Sequence, residues 1–201
     1  MMPRSGMSLL VAVTLWLGMG AAAFAVPASM PTGGRTSQPI GHYEFCQREP
    51  VECRQKSPRQ APIEFSRELL AAVVSVNAAV NAEVAPRTDM EIWGVEEFWS
   101  YPTTVGNCED YALEKRRRLM KLGVPAGDLL ITVVRQPNGD GHAVLTVRTS
   151  RGDFILDNLE ESVMPWYETP YTYLKRQSER NSGAWVAIFD DRDTVAVGSV
   201  K

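Results

Sequence analysis

Leu69, Val73, Val76, Val80 and Val84 recur at helical spacing behind Ser66, a residue suited to cap a helix, and ahead of the stop at Pro86. That pattern predicts a core helix with a long apolar stripe. A second helix is expected from Cys108, after the breakers Pro102 and Gly106, through Tyr111, Ala112, Leu119 and Leu122 to the terminating Gly123 and Pro125. Glu109 and Asp110 fall in its first turn, and the basic run 115–118 with Lys121 towards its end, as the helix dipole prefers. The run itself reads as a solvated helix face rather than a nucleic-acid patch. Between the two helices, residues 91–101 bring Trp93, Phe98, Trp99 and Tyr101 close together, as expected of a short helix or loop capping the core.

The pattern then changes to strands. Residues 129–135 (LLITVVR) and 142–148 (HAVLTVR) are rich in β-branched side chains and are separated by PNGDG, a hairpin signal. A turn at 151–153 leads into 154–157 (FILD), and 184–190 (AWVAIFD) reads as a fourth strand. Helices segregated from an antiparallel sheet define an α+β fold. Residues 26–62, with prolines at 27, 31, 39, 50 and 58 before Pro62, read as an extended N-terminal segment, and 63–201 as the domain proper.

Composition narrows the class. The 201 residues are 44% hydrophobic and 22% charged, which suits one packed domain, and the net charge of -3 gives no field that would draw the chain to nucleic acid. Arg4, an apolar run over 9–19 and the A-x-A site Ala23-Phe24-Ala25 read as a secretory signal peptide over 1–25, and hence an exported, periplasmic chain. The run is too short for the roughly 20 apolar residues of a membrane anchor. In an oxidising compartment Cys46 and Cys53, seven positions apart, are most simply a disulfide, and Cys108 is left over.

Cys108 would stand at a helix N-terminus, where unpaired N–H groups and the dipole favour a thiolate. A base is needed next. The mature chain offers His42, in the N-terminal segment, and His142, on the more rigid support of a strand. If the strands pair about a turn near Ser150, Asp157 or Asn158 comes beside His142 and can hold the imidazole in its working tautomer. The expected chemistry is attack of the thiol on a peptide or amide carbonyl, with a thioester resolved by water or by an amine. A catalytically silent module using the cleft to bind a protein is the alternative of a different class. The second oxyanion donor, beside the Cys108 N–H, is sought at Asn107 or in the 93–101 segment. Glu109 and Asp110 act against the thiolate by raising its pKa, and a bound cation would offset them.

The strings Phe45-Cys46, Gly106-Asn107-Cys108-Glu109-Asp110-Tyr111-Ala112, Gly141-His142-Ala143-Val144-Leu145 and Leu156-Asp157-Asn158 resemble, in order, those of the bacterial transglutaminase-like cysteine proteinases. The resemblance spans about residues 45–190. It implies a papain/transglutaminase-like core with the nucleophile at a helix N-terminus, a Cys108, His142 and Asp157 triad with Asn107 and Asn158 in support, and a periplasmic setting. The LapG-type branch of the family implies calcium as cofactor, large surface adhesins as substrates, and an inner-membrane receptor responding to cyclic diguanylate as regulatory partner. In that branch an acidic residue precedes the nucleophile and joins the acids after it in binding calcium. Here the set is Asn107, Glu109 and Asp110, one charge short, which predicts a weak site.

Overall fold

The computed structural model describes residues 27–58, 61–190 and 192, so the expected signal peptide lies outside the described residues. Strand β1 (Thr32–Thr36) is followed by helices α1 (Ile40–Arg48), α2 (Pro50–Cys53) and α3 (Arg67–Glu83). Then come β2 (Ala85–Pro86), α4 (Asp89–Trp93), β3 (Val105–Gly106) and α5 (Cys108–Lys121). The remainder is strand: β4 (Leu129–Arg135), β5 (Gly141–Thr149), β6 (Gly152–Leu156), β7 (Met164–Pro165), β8 (Thr172–Ser178) and β9 (Asn181–Ile188).

Both long helices begin where their caps dictate. Ser66 Oγ accepts from Leu69 N, and Asn107 forms a reciprocal capping box with Asp110 at the start of α5. Gly123, at φ +93°, carries the chain out of α5 through a conformation that side chains resist. The apolar stripe of α3 is buried from Leu69 to Val84, and α5 packs against it on one side and on β4 and β5 on the other.

Seven strands form one antiparallel sheet in the order β1-β9-β8-β4-β5-β6-β7. β4 matches its expected limits, and β5 and β6 differ from theirs by a residue or two. The strand expected at 184–190 starts at Asn181, and β8, which sequence reading passed over, lies between it and β4. β8 carries Lys175 and Arg176 within TYLKRQS, so it has no clean apolar alternation to betray it.

The N-terminal segment is not a separate extended strap. Residues 32–36 are extended and form the edge strand β1 on β9, but 40–53 are helical and dock into the domain. Pro50 stands at the first turn of α2, where its missing N–H costs nothing, so a proline-rich stretch accommodates helices. Cys46 and Cys53 are disulfide-bonded as expected, tying α1 to α2. His42 is buried rather than flexible, its ring 5.2 Å from Trp99 and 5.3 Å from Trp185.

Two further expectations change. The basic run on α5 is split: Arg117 and Arg118 face outward to Glu114 and Glu83, whereas Lys115 and Arg116 are only 1% and 2% exposed. Arg116 donates to Leu129 O, Glu52 and Gln55, so α2 is locked onto α5 through a buried guanidinium. Asp153, expected in a turn, is a buried residue of β6 that accepts from Arg176 at 2.8 Å and from Met30 N at 2.9 Å. It anchors the start of the described chain beside Gly152, whose backbone passes so near Ala28 O that a Cβ would lie 2.3 Å away.

Replacing both Cys46 and Cys53 with serine should lower unfolding stability by about 2 to 3 kcal/mol, the expected constraint of so short a loop. Urea unfolding followed by tryptophan fluorescence measures it, and an unchanged midpoint would show that the docked helices hold without the crosslink.

Candidate active site

Cys108 is the first residue of α5, half-buried, with the Ala143 backbone N–H from the start of β5 pointing at its sulfur. Gly141, His142 and Ala143 therefore meet the N-terminus of α5 edge-on. His142 and Cys108 line the same cleft, of about 340 Å³, walled by Ile40, Glu97, Trp99 and Lys175. His142 Nε2 and Asp157 Oδ1 are 2.8 Å apart and buried, which leaves Nδ1 as the nitrogen for the cleft. On the other side of Cys108, Arg87, Thr88, Asn107 and Asn158 line a second depression of about 240 Å³.

The register decides between Asp157 and Asn158. β5 and β6 pair Leu145 with Leu156, and continued three residues further this register sets Leu159 against His142 and makes Asp157 its diagonal neighbour. Asn158 turns instead into the second depression, its Oδ1 buried without a hydrogen-bond partner. Asp157 is fully engaged: Oδ1 also accepts from Leu159 N, Oδ2 from Tyr171 Oη at 2.6 Å, and its carbonyl from Asn81 Nδ2. Burial pushes its pKa up, but the bonds from His142, Leu159 N and Tyr171 outweigh that and hold it below the usual carboxylate range.

His42 is excluded as a base by its surroundings. Burial, with Arg116 nearby, pushes it down to about 4, so it stays neutral, and Trp185 Nε1 donates to its Nδ1 at 3.2 Å. His42, Cys46 and Cys53 present ligand atoms within 4.8 Å of one another, yet both sulfurs are spent in the disulfide and no thiolate remains for a metal.

Sequence reading expected a thiolate, and here the structure differs. Cys108 is pushed well above its ordinary pKa, first by burial and then by Glu109, whose Oε2 accepts the S–H at 2.9 Å. The helix dipole is outweighed by burial and by a carboxylate in direct contact. Asn107 is drawn into the cap of the helix. Its N–H goes to Asp110 Oδ2, its Oδ1 accepts from Asp110 N, and its side chain bonds Asp89. These contacts build the cap of α5.

Four acidic side chains surround this helix start: Asp89, Glu97, Glu109 and Asp110. Asp110 holds the approaching loop by accepting from Ser100 N at 2.7 Å, and Asp89 does the same with Phe98 N at 2.6 Å. Burial first, then mutual repulsion, raises Asp110 to about 7 and lifts Glu109; burial lifts Asp89. Asp89 is 2% exposed and its Oδ1 has no partner. The donor set is thus hard oxygen, anionic and incompletely satisfied, as suits a calcium ion with its roughly six to eight oxygen ligands. Its oxygens are not drawn together as a preformed cage, since His42, Cys46 and Cys53 are the only such trio within 4.8 Å among the described residues.

Asp89, Lys115 and Tyr171 were not legible as site residues in the sequence. Lys115 stands two helical turns after Cys108 on the same face of α5, above the Tyr111 ring at 5.7 Å, with the charge of Asp157 nearby. Nothing local distinguishes it from Arg117, because the 115–118 run is uniformly basic. Trp93 and Trp99 also part company: Trp99 is buried and walls the cleft, while Trp93 is 50% exposed.

A half-buried cysteine at a helix start, sharing a cleft with a histidine bonded to an aspartate, is the arrangement of a thiol hydrolase. The family model of the bacterial transglutaminase-like cysteine proteinases (BTLCP) matches residues 32–193, and the chain belongs to that family. It is a cysteine peptidase of transglutaminase-like fold. Among solved structures, Legionella pneumophila LapG is similar at 26% identity and a TM-score of 0.51, over 63% of this chain and 73% of that one. The EGTA-treated form gives 24% and 0.50, over 64% and 74%. The calcium-bound form gives 22% and 0.48, over 70% and 77%. A comparison with curated protein sequences gave no match. No helix of the described residues is long and apolar enough to cross a membrane.

Burial drives Lys115 down to about 7, and the Asp157 charge recovers only part of that shift. A folded-state pKa below the unfolded value means that the charged lysine costs stability, which returns only as pH rises above 7 towards about 10. Lys115→Met should therefore melt higher than the parent, by a margin constant below pH 7 and shrinking as pH rises. Thermal denaturation between pH 5.5 and 9.5 measures this, and a margin unaffected by pH above 7 contradicts it.

Proposed function

We propose that this peptidase is exported to the periplasm and cuts extended segments of large surface proteins such as adhesins, using Cys108 as nucleophile, His142 as acid and base, and Asp157 to orient the imidazole. The observation that carries the reading is the buried 2.8 Å bond between His142 Nε2 and Asp157 Oδ1 at the wall of the cleft that Cys108 lines. A polypeptide laid from one depression to the other crosses the sulfur, which is where a scissile carbonyl has to sit.

The proton of Cys108 passes to His142 Nδ1 and the sulfur attacks the carbonyl carbon. The oxyanion is met by the Cys108 N–H, one of the unpaired donors of a helix start, with Asn158 on the far side. His142 then gives its proton to the departing amine, leaving a thioester. Water, deprotonated by His142, releases the acid and restores the thiol. Asp157, already tied to Nε2, keeps the ring from turning and stabilises the imidazolium.

Glu109 opposes the first step while it holds the thiol proton. Asp89, Glu109 and Asp110, with the Asn107 oxygen, are the groups that would hold calcium. Bound there, calcium would supply positive charge beside the nucleophile and offset the carboxylate of Glu109. Asn107 leaves the set one charge short, and Asp89 Oδ1 is the group placed to contribute in its stead.

Purified mature protein incubated with outer-membrane and secreted proteins should generate new N-termini detectable by mass spectrometry. Cys108→Ala should abolish them, and Asp157→Asn should reduce the rate by roughly 10²- to 10⁴-fold, as expected of a lost imidazole-orienting acid. Products carrying added amines would make the enzyme a transferase, and no products at all would favour a binding module.

Millimolar calcium, compared with chelator, should raise the melting temperature, because a ligand bound only by the native state stabilises it. The rise should be larger for Asn107→Asp and smaller for Asp89→Asn. Identical melting in all three proteins removes calcium from the mechanism.

A further inference from the structure

Tyr171 lies one residue before β8, outside every motif that the sequence offers, and is buried. Its hydroxyl donates to Asp157 Oδ2 at 2.6 Å, and its ring lies 5.6 Å from the imidazole of His142. Asp157 Oδ1 is meanwhile occupied by His142 Nε2 at 2.8 Å and Leu159 N at 3.0 Å. Each carboxylate oxygen thus has its own donor, and the carboxylate cannot rotate towards or away from the imidazole without breaking the bond to Tyr171. The support is itself rigid: Arg192 donates to the carbonyls of Thr169 and Tyr171, and Thr169 Oγ1 is 2.9 Å from Tyr173 Oη.

We propose that Tyr171 is a positioning residue for the peptidase reaction, acting through Asp157: its hydroxyl fixes the carboxylate so that Nε2 of His142 stays bonded and Nδ1 stays aimed at Cys108. A buried phenol must find an acceptor. Here the acceptor is the triad acid itself, so satisfying the tyrosine and orienting the acid are one contact. Packing alone would be served as well by phenylalanine. Lys115 interacts with Asp157 through charge, and the hydrogen bonds that orient the carboxylate come from Tyr171, His142 and Leu159 N.

This inference rests on reading Cys108, His142 and Asp157 as the triad, and its test includes a readout that needs no turnover. The proton on His142 Nε2 should give a far-downfield NMR resonance, assigned by its loss in His142→Ala. In Tyr171→Phe, at a melting temperature close to the parent's, that resonance should broaden and exchange faster with solvent. Where activity is measurable, kcat should fall about tenfold with KM unchanged, the scale of one hydrogen bond to a charged group. The same substitution in an Asp157→Asn background should cost nothing further. Should Tyr171→Phe fold poorly, 3-fluorotyrosine incorporation acidifies the phenol without altering the packing and should move the resonance upfield.

An unmoved resonance in the phenylalanine or fluorotyrosine protein, or an equal loss of kcat in both backgrounds, overturns the role of Tyr171. Absence of peptidase activity in the parent would overturn the triad reading alone and leave the resonance test of Tyr171 intact.

Discussion

Helix α5 is enclosed along most of its length, and the active site depends on that enclosure. Sheet strands β4 and β5 cover one side, α3 another, and α2 is latched across it by the bond from Arg116 to Glu52. A helix held so firmly presents its first residue at a fixed place, and the first residue is Cys108. The strand that packs on it, β5, opens with Gly141 and His142 at the same level. Cys108 and His142, the proposed nucleophile and base, are thus brought to one cleft by backbone packing and not by a flexible loop, which is what a geometry-sensitive reaction requires.

Enclosure has an electrostatic cost that shapes the chemistry. Glu109, Asp110, Glu114, Lys115 and Arg116 are all buried on one helix. Some of them are satisfied by partners, as Glu114 is by Arg117 and Arg118. Others are left in tension. Glu109 and Asp110 are lifted by burial, Lys115 is lowered by it, and Cys108 is held as a thiol by burial and by the carboxylate next to it. Most of that strain lies at the end of the helix where the reaction is proposed to occur, with Lys115 two turns further along, in keeping with the clustering of perturbed groups at functional sites. The far end of the helix, capped and paired, carries none of it.

Around the His142–Asp157 pair the polar contacts are complete, and around the acidic cluster they are not. Asp157 receives donors on both oxygens and its carbonyl, whereas Asp89 keeps a buried oxygen without one. The first arrangement is finished by the chain alone. The second has its charge in place but not its balance, and the loop 98–107 that Asp89 and Asp110 hold would move with any change there. Cap, loop and cluster are one connected unit through Asn107, which touches both acids.

Local sequence determined the elements whose causes are local. Ser66, Asn107 and Gly123 mark helix ends because capping acts within a few residues, and β4 to β6 were legible from β-branched runs divided by turn residues. Cys108 and His142 were legible because a helix start and a strand start are local features, and the cysteine pair because its close spacing is. What the sequence left open was decided by contacts between distant segments. Asp157 was chosen over Asn158 by the register of β5 on β6, which no single strand encodes. The helices of 40–53 and the burial of His42 depend on β9 and Trp99. Lys115 and Arg116 look like surface residues until α2 and Asp157 cover them, and Asp89 and Tyr171 become site residues only when folding carries them to Asn107 and Asp157. Burial and charge pairing are sums over neighbours from the whole chain, so the sequence singled out Cys108 and His142 while the tertiary structure set the state of the Cys108 thiol and the partners of both.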